Sequence, residues 1–254
     1  MLCTTVAARF VCLPSAALFC TFAGCQPQSS APASPVVELR RVETSVDPPE
    51  PTLAEQMAAV ERGASTQILV EQEAQGDQDL IALGKLTQLT DLLLDHAASE
   101  FHAGGVAALA NLPNLQHLRI RGWGINAECL RELAKIKSLR ILNVPHAEFA
   151  DEGLEILTEM PNLESLRFGS SLVTDEGMKT LARFPAIRQL HLIDVPITDA
   201  GLAELARIDR LQSLYIDGGS ISDAGWDELF RRRPRLHVHI NQQHHDRDPH
   251  KHPH

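Results

Sequence analysis

The chain has 254 residues, of which 44% are hydrophobic and 4% aromatic, and its formal net charge is −10. This length allows one large domain or two ordinary ones, and the scarcity of aromatic residues favours many similar packing units over one irregular core. The acidic balance argues against general affinity for nucleic acid, so no nucleic-acid partner is expected. Four of the five cysteines lie in the first 25 residues, which excludes a disulfide framework or a cysteine-built zinc site in the body of the chain.

Residues 1–25 predict a secretory signal peptide. Arg9 is the only charged side chain, and the apolar run from Phe10 to Ala23 is too short for a comfortable membrane span. The segment ends in FAGC, which resembles the lipobox of bacterial lipoproteins, although Phe22 stands where leucine is usual. We therefore expect secretion across the cytoplasmic membrane and lipid attachment at Cys25. An ordinary signal peptide and a wrongly assigned start codon are the alternatives.

The next two segments predict a spacer and a helical cap. Residues 26–51 are rich in proline and serine and have no sustained apolar period, which is typical of a disordered tether. Residues 52–63 predict a short N-terminal capping helix, because Thr52 and Glu55 have the spacing of a capping box and Gly63 suits a helix end. A lipid anchor followed by such a tether would hold a folded domain away from a membrane.

A pattern of apolar residues recurs every 24 residues through 64–241 and defines about seven units. Its first complete copy has two extra residues in the loop that follows it. Ile68 with Val70, and Val238 with Ile240, read as partial copies at the two ends. The repeated core positions are Leu86, Leu89, Leu92 and Leu94; Leu112, Leu115, Leu118 and Ile120; Ile136, Leu139, Leu142 and Val144; Met160, Leu163, Leu166 and Phe168; Phe184, Ile187, Leu190 and Leu192; and Ile208, Leu211, Leu214 and Ile216.

Each unit contains two apolar periods, one of a strand and one of a helix. The L-x-L step predicts a strand with one buried face, and the G-L-x-x-L step that follows predicts one face of a short helix. Thr174, Thr198 and Ser222 are expected helix N-caps, and the aspartate after each would favour the positive end of the helix dipole. The glycine of the helix predicts close packing against the neighbouring unit. Cys129 occupies that glycine column and is expected to be a small buried thiol.

The L-x-x-L-x-x-L-x-L pattern with its 24-residue period resembles the leucine-rich-repeat family over residues 64–241. The I-T-D-x-G-L-x-x-L variant is similar to the ribonuclease-inhibitor-like type, to repeats of F-box adaptor proteins, and to repeats of secreted planctomycete-type proteins. The resemblance implies an α/β right-handed solenoid, a horseshoe with a concave parallel sheet and convex helices. The cysteines of the F-box type are absent, so no adaptor role in ubiquitin transfer is expected.

Residues between the buried strand positions predict the open face of the sheet, where a partner would bind. Arginine and tyrosine are frequent at binding hot spots, so we expect a protein or peptide partner, an acidic peptide or loop in particular, with an anionic glycan as an alternative. Trp123 is expected to be partly buried under its own turn, the alternative being an exposed anchor. The candidate partner-binding residues are His117, Arg119, Arg121, Asn143, Arg167, His191 and Tyr215. The alternative for all of them is a solvated strand surface that binds no partner.

Residues 242–254 predict a disordered tail rich in histidine. Histidine clusters bind Zn, Cu or Ni, so the tail is either a metal-capture segment or a polar tail with adventitious affinity only, and no cofactor is expected. His237 and His239 alternate with Val238 and Ile240, which assigns them to the last strand. The candidate metal ligands are His244, His245, His250, His252 and His254.

The sequence carries no nucleophile paired with a base, paired-carboxylate site, phosphate loop or HExxH helix. A non-enzymatic function is therefore predicted. The first hypothesis is a monomeric, lipid-anchored binding module of the cell envelope that recognises its partner on the concave face. The rival hypothesis is an envelope protein that sequesters metal with its histidine tail.

Overall fold

The structure, a computed structural model, describes residues 50–244, without the side chain of His244. The predicted signal peptide, the tether up to residue 49 and the tail from residue 245 lie outside the described residues. The strands are β1 (Gln67–Val70), β2 (Asp91–Leu94), β3 (His117–Ile120), β4 (Ile141–Val144), β5 (Ser165–Gly169), β6 (Gln189–Ile193), β7 (Ser213–Asp217), β8 (His237–Ile240) and β9 (Gln243–His244). The helices are α1 (Leu53–Glu61), α2 (Asp77–Leu83), α3 (Ala103–Val106), α4 (Ala127–Leu133), α5 (Asp151–Leu157), α6 (Asp175–Leu181), α7 (Asp199–Leu205) and α8 (Asp223–Arg232), with a 3-10 segment at Ala107–Asn111.

The nine strands of the described region form one sheet in chain order, β1 to β9. Strands β1 to β8 are parallel, and β9 pairs with β8 in the antiparallel direction. The pairing register brings the same position of every unit into one column, as the 24-residue period predicts. The central column of the open face is Leu69, Leu93, Arg119, Asn143, Arg167, His191, Tyr215 and His239.

One continuous hydrophobic core lies between the sheet and the helices. In β3, for example, Leu118 and Ile120 are buried while the side chains between them face outward. Leu130 and Leu133 of α4 close the same unit from the helical side. Burial of each such side chain stabilises the fold by about 1.5–3 kcal/mol, and most of it is against neighbouring units, so the units must stack to fold.

The aspartate at the start of one helix caps the helix of the next unit. Thr198 is the N-cap of α7, as predicted, and its hydroxyl accepts a hydrogen bond from the Ala200 N–H. The Asp175 carboxylate accepts two more, from the Thr198 N–H at 2.8 Å and the Thr198 hydroxyl at 2.6 Å. Asp151 with Thr174 and Asp199 with Ser222 repeat this arrangement. These aspartates therefore join units as well as favouring the helix dipole.

The same aspartates explain the glycine column. A Cβ on Gly201 would lie 2.3 Å from Asp175 Oδ1, and a Cβ on Gly225 would lie 2.3 Å from Asp199 Oδ1. Cys129 is tolerated in this column because the preceding unit has Ala103 in place of aspartate. Ala127 is the other alanine at this position, and the glycine that follows it, Gly153, faces Phe149 instead. The thiol is buried, as predicted, and burial raises its pKa, which makes it unreactive.

Two elements of the first units differ from the prediction. The leading copy is a complete unit, because β1 pairs with β2 at a 24-residue step and α2 follows with Leu80 and Leu83 buried. Helix α3 is a single turn continued by the 3-10 segment. Gly104 and Gly105 lie in that turn, and glycine weakens a helix by about 1 kcal/mol relative to alanine.

Both edges of the sheet are covered. At the first edge the Gln56 amide of α1 donates to the Leu69 carbonyl at 2.6 Å and accepts from the Leu69 N–H at 2.8 Å. Helix α1 begins with the predicted capping box of Thr52 and Glu55. At the other edge Asn241 and Gln242, at φ 49° and 64°, turn the chain back into β9, in a segment predicted to be disordered. Among the described residues no helix is both long and apolar enough to cross a membrane.

Candidate functional site

The candidate binding surface is the open face of β3 to β8, where two adjoining cavities lie. The smaller, of about 200 Å³, is lined by Arg119, Arg121, Asn143, Arg167 and neighbours. The larger, of about 530 Å³, shares Asn143 and Arg167 with it and continues over His191 and Tyr215. Six of the seven predicted partner-binding residues therefore lie on one continuous surface. His117 lines a separate small cavity instead.

Three arginines form the wall of the smaller cavity: Arg119 of β3, Arg121 directly after β3, and Arg167 of β5. We call them the arginine patch. Arg121 and Arg167 are exposed, and neither guanidinium has an ion-pair or hydrogen-bond partner within residues 50–244. Burial lowers the pKa of Arg167, and the nearby charges of Arg121 and Arg119 lower it further, against the attraction of Asp217 and Asp95. The Arg167 guanidinium thus lies among charges of both signs, of which Asp217 acts most strongly, but no carboxylate within residues 50–244 forms an ion pair with it.

Arg119 differs from the other two because it is anchored. One of its terminal nitrogens lies 2.7 Å from Asp95 Oδ2, and the Asp95 side chain is only 7% exposed. The Nε of Arg119 and the Oδ1 of the adjacent Asn143 are buried without a hydrogen-bond partner among the described residues. Unpaired buried polar atoms are uncommon in native structures, so two of them side by side in a cavity suit a site that a ligand completes.

The two predicted histidines of the face lie beside carboxylates. His191 Nε2 is 2.9 Å from Asp217 Oδ2, and His117 Nδ1 is 3.4 Å from Asp91 Oδ1. Burial nevertheless lowers the pKa of both rings, with like charge from Arg167 lowering that of His191 and from Arg119 that of His117. Since free histidine titrates near pH 6.5, both are neutral at pH 7. The positive charge of the face therefore comes from the arginines.

The far end of the face is a group of stacked rings, which we call the histidine cluster: His191, Tyr215, His237 and His239. Tyr215 lies between its neighbours, with ring centroids 5.3 Å from His191 and 4.6 Å from His239. His237 meets Tyr215 edge-on at 6.0 Å. The prediction that His237 and His239 belong to the last strand is confirmed.

Comparison with known proteins gives a structural match only. No protein-family model matches the chain, and no curated protein matches it. Among solved structures it is similar to internalin C2 from Listeria monocytogenes, with a TM-score of 0.53 and 17% sequence identity, over 72% of each chain.

The fold is a leucine-rich-repeat solenoid. The predicted fold class, with a concave parallel sheet and convex helices, is confirmed. At 17% identity the likeness to internalin C2 shows this fold alone. The assignment to the ribonuclease-inhibitor-like repeat type stays a prediction from the sequence motif.

One residue of the solenoid was placed wrongly by the sequence. Trp123 is 51% exposed rather than buried beneath its turn, and its indole stacks on the His146 ring with centroids 5.0 Å apart. The stack forms the rim of the arginine patch, because His146 lines the smaller cavity. The only sign of this exposure in the sequence is that Gly122 and Gly124 flank Trp123, because neighbours without side chains cannot cover a large ring.

Sequence reasoning also missed the carboxylates that pair with the site. Asp95 lies two residues after the central-column residue of its strand and 24 residues before Arg119. Asp217 lies two residues after the central-column residue of its strand and 26 residues after His191. The repeat register alone would have placed these pairs on neighbouring strands.

The predicted lipidation site and most predicted metal ligands lie outside the described residues, so they stay predictions. Cys25 and the tail residues His245, His250, His252 and His254 lie outside the described residues. The backbone of His244 belongs to β9, opposite His239. Within residues 50–244 no group of three or more His, Cys, Asp and Glu is arranged to hold a metal ion.

Proposed function

We propose that this protein is a non-enzymatic binding module whose concave face holds an acidic segment of a partner protein. The observation that carries the proposal is the pair Arg121 and Arg167, exposed at one cavity and without an ion-pair partner among the described residues. In a chain of net charge −10, unneutralised positive charge concentrated in a concavity favours anionic ligands and attracts them over a distance.

The chemistry of the cavity suits carboxylates. A guanidinium offers a planar pair of N–H donors that matches a carboxylate in a bidentate manner. Arg119 is held in place by Asp95, so it keeps a fixed donor geometry beside Arg121 and Arg167. The Asn143 side chain lines both cavities, where its amide can hydrogen-bond to the backbone of the bound segment. Solenoids of this kind present such extended concave surfaces to their partners.

The larger cavity extends the same surface over a second kind of chemistry. Tyr215 and His191 present two rings inclined by 36° next to Arg167, and such rings bury apolar area when a ligand covers them. We propose a bound segment with an acidic residue over the arginine patch and an apolar residue over the rings. The presentation of this face at a membrane surface, through a lipid on Cys25, is part of the same proposal.

Charge reversal of the two unpaired arginines tests the function. A random peptide library displayed on phage would be panned against the wild-type protein, and the consensus peptide titrated by fluorescence anisotropy. We expect Asp and Glu to be enriched, and Arg121→Glu with Arg167→Glu to weaken binding at least tenfold, about 1.4 kcal/mol. Raising the salt concentration should weaken the wild type and not the variant, because the lost interaction is electrostatic.

The matched control is Arg131→Glu, an exposed arginine of α4 without an ion pair in the described part. It changes net charge in the same direction, and binding should stay as in the wild type. Arg119 is left unchanged, because a glutamate there would face the buried Asp95. Selected peptides without acidic residues, or equal losses in the Arg131 control, would contradict the proposal. Binding of a sulfated oligosaccharide in place of any peptide would favour the glycan alternative.

A further inference from the structure

Two histidines of the last parallel strand bring their ring nitrogens together on the open face. His237 and His239 are two residues apart in β8, so their side chains leave the same side of the sheet. Their Nε2 atoms are 2.9 Å apart, with ring centroids at 4.6 Å and planes inclined by 71°. The two nitrogens share a hydrogen bond, and they are close enough for one ion to bind both in its place.

We propose that His237 and His239 form a bidentate site for a late first-row divalent cation, Cu²⁺ in preference to Ni²⁺ or Zn²⁺. Metal–imidazole bonds are about 2.0–2.1 Å long. Two nitrogens at right angles around a metal are then roughly 2.9 Å apart, and two at a tetrahedral angle roughly 3.4 Å. The observed separation matches the right angle, which square-planar and tetragonal Cu²⁺ and Ni²⁺ adopt. Cu²⁺ is also the most tightly bound of the series.

The surrounding strands hold both rings in place. Tyr215, opposite His239 in the strand register, stacks on its ring with an interplanar angle of 27° and meets His237 edge-on at 77°. Strand β7 pairs with β8 along both histidines, and β9 pairs with the outer side of β8 at His239 and Ile240, so the backbone of His239 is held from both sides. Ligands fixed by packing lose little freedom on binding a metal.

The site opens onto solvent and has room for further ligands. His239 lines the larger cavity, of about 530 Å³, together with Asp217 and Gln242. Within residues 50–244 no cluster of three or more metal-ligating side chains occurs, so the described residues supply two ligands and water fills the remaining positions. Binding requires both Nε2 atoms to be deprotonated, so it displaces the proton shared between them and weakens at low pH. This site lies in the folded solenoid and is separate from the metal-capture hypothesis for the tail.

The test uses the full chain with the tail histidines replaced. In this background His244, His245, His250, His252 and His254 are changed to serine, so only the solenoid remains as a source of clustered imidazole. Calorimetric titration of this protein with Cu²⁺ should give a binding stoichiometry of one ion per chain. Electron paramagnetic resonance should show two equatorial nitrogens. Replacing His237→Gln and His239→Gln should weaken Cu²⁺ binding at least tenfold, while the control His96→Gln with His146→Gln should leave it unchanged.

Two further measurements keep the result interpretable. Circular dichroism of the metal-free variants establishes that each is folded. This check is needed because His239 is only 8% exposed and its replacement removes a packed ring from β8. Independently of any site variant, Cu²⁺ added to the tail-substituted protein should broaden the NMR signals of His237, His239 and Tyr215 first. Absence of stoichiometric binding in that protein, or broadening centred elsewhere, would overturn the proposal.

Discussion

The Asp199 carboxylate connects two repeat units through one side chain. It accepts a hydrogen bond from the Ser222 hydroxyl at 2.5 Å and another from the Ser222 N–H at 2.8 Å. These two bonds hold the pKa of Asp199 below its ordinary value, and the bond from the hydroxyl has the larger effect. A carboxyl whose pKa is lowered by folding stabilises the native state wherever it is ionised, above its unfolded pKa of about 4.

Asp199→Asn should therefore destabilise the protein in a pH-dependent way. The amide keeps one acceptor and cannot be ionised, so the unfolding midpoint should be lower than in the wild type at pH 7. The difference between the two midpoints should shrink as the pH falls below about 4, because the wild-type carboxylate becomes protonated as the pH approaches its lowered pKa. Urea denaturation at pH 7, 5 and 3 measures this.

The control for this experiment is Asp209→Asn, an exposed carboxylate whose side chain makes no hydrogen bond in the described region. Its midpoint should follow the wild type at all three pH values. A difference for Asp199→Asn that stays constant from pH 7 to pH 3 would mean that the carboxylate charge is unimportant to the contact.

Single residues were the least predictable level of the site. The outward columns of the strands identify which residues face the partner, because alternation and register depend only on the repeat. They do not reveal that Arg119 is neutralised by Asp95 while Arg121 and Arg167 are not. That difference depends on side-chain rotamers across neighbouring strands. For the same reason the exposure of Trp123 was wrong in the prediction.

At the level of elements, the helices follow a rule that links two columns of the sequence. Units that have aspartate at the first helical position require glycine in the next unit, two residues after the N-terminus of its helix. Gly177, Gly201 and Gly225 each face such an aspartate, and Cys129 follows Ala103. The aspartate cannot move away from a new Cβ without losing its two hydrogen bonds to the next N-cap.

Gly201→Ala is therefore expected to destabilise the protein, against the preference of helices for alanine. The clash with Asp175 should cost about 1–3 kcal/mol, more than the gain of about 1 kcal/mol from helix propensity. Adding Asp175→Ala should recover part of the loss, since it recreates the combination found at Ala103 and Cys129. Chemical denaturation of both single variants and the double variant gives the coupling free energy.

Gly104→Ala is the matched control, because a Cβ at that helical position would meet nothing within 4 Å. It should stabilise the protein by up to about 1 kcal/mol. If Gly201→Ala were equally stabilising, or if Asp175→Ala gave no recovery, the packing rule would be wrong.

The elements that repeat were predictable, whereas of those that occur once only α1 was, through its capping box. Strand positions and the N-caps Thr174, Thr198 and Ser222 follow from a pattern written several times over, so chance similarity is averaged out. Helix α2 lacks the Gly-Leu signature, having Asp79 and Leu80 instead. Strand β9 depends on a two-residue turn with positive φ at Asn241 and Gln242, residues less typical of such turns than Asn-Gly.

At the level of the whole molecule, the described solenoid leaves neither end of its sheet open. An exposed edge strand is a template for pairing with another chain. Gln56 occupies the β1 edge by imitating a neighbouring strand, with one donor and one acceptor directed at Leu69. Hairpin strand β9 covers β8. The ends therefore stop the array from continuing into a second molecule.

Gln56→Glu should weaken the first cap. Glutamate can accept from the Leu69 N–H but cannot donate to its carbonyl, and it places a charge beside that oxygen. We expect a loss of about 1–3 kcal/mol in unfolding free energy, measured by urea denaturation, and greater self-association by light scattering. Gln72→Glu, at an exposed residue without a side-chain hydrogen bond in the described part, should change neither quantity. Unchanged stability in Gln56→Glu would show that α1 is held by its apolar contacts alone.

The aspartate contacts between units have a consequence for how the gene can change. Asp223 occupies the position from which Asp151, Asp175 and Asp199 reach forward, yet no helix follows it among the described residues. Each 24-residue stretch that begins at such an aspartate therefore ends at the Thr or Ser N-cap to which that aspartate hydrogen-bonds. A tandem duplication of a 24-residue stretch such as 175–198 would bring both partners of this contact into each new copy. The array can thus lengthen by replication slippage, and with it the binding surface, without any new contact having to evolve.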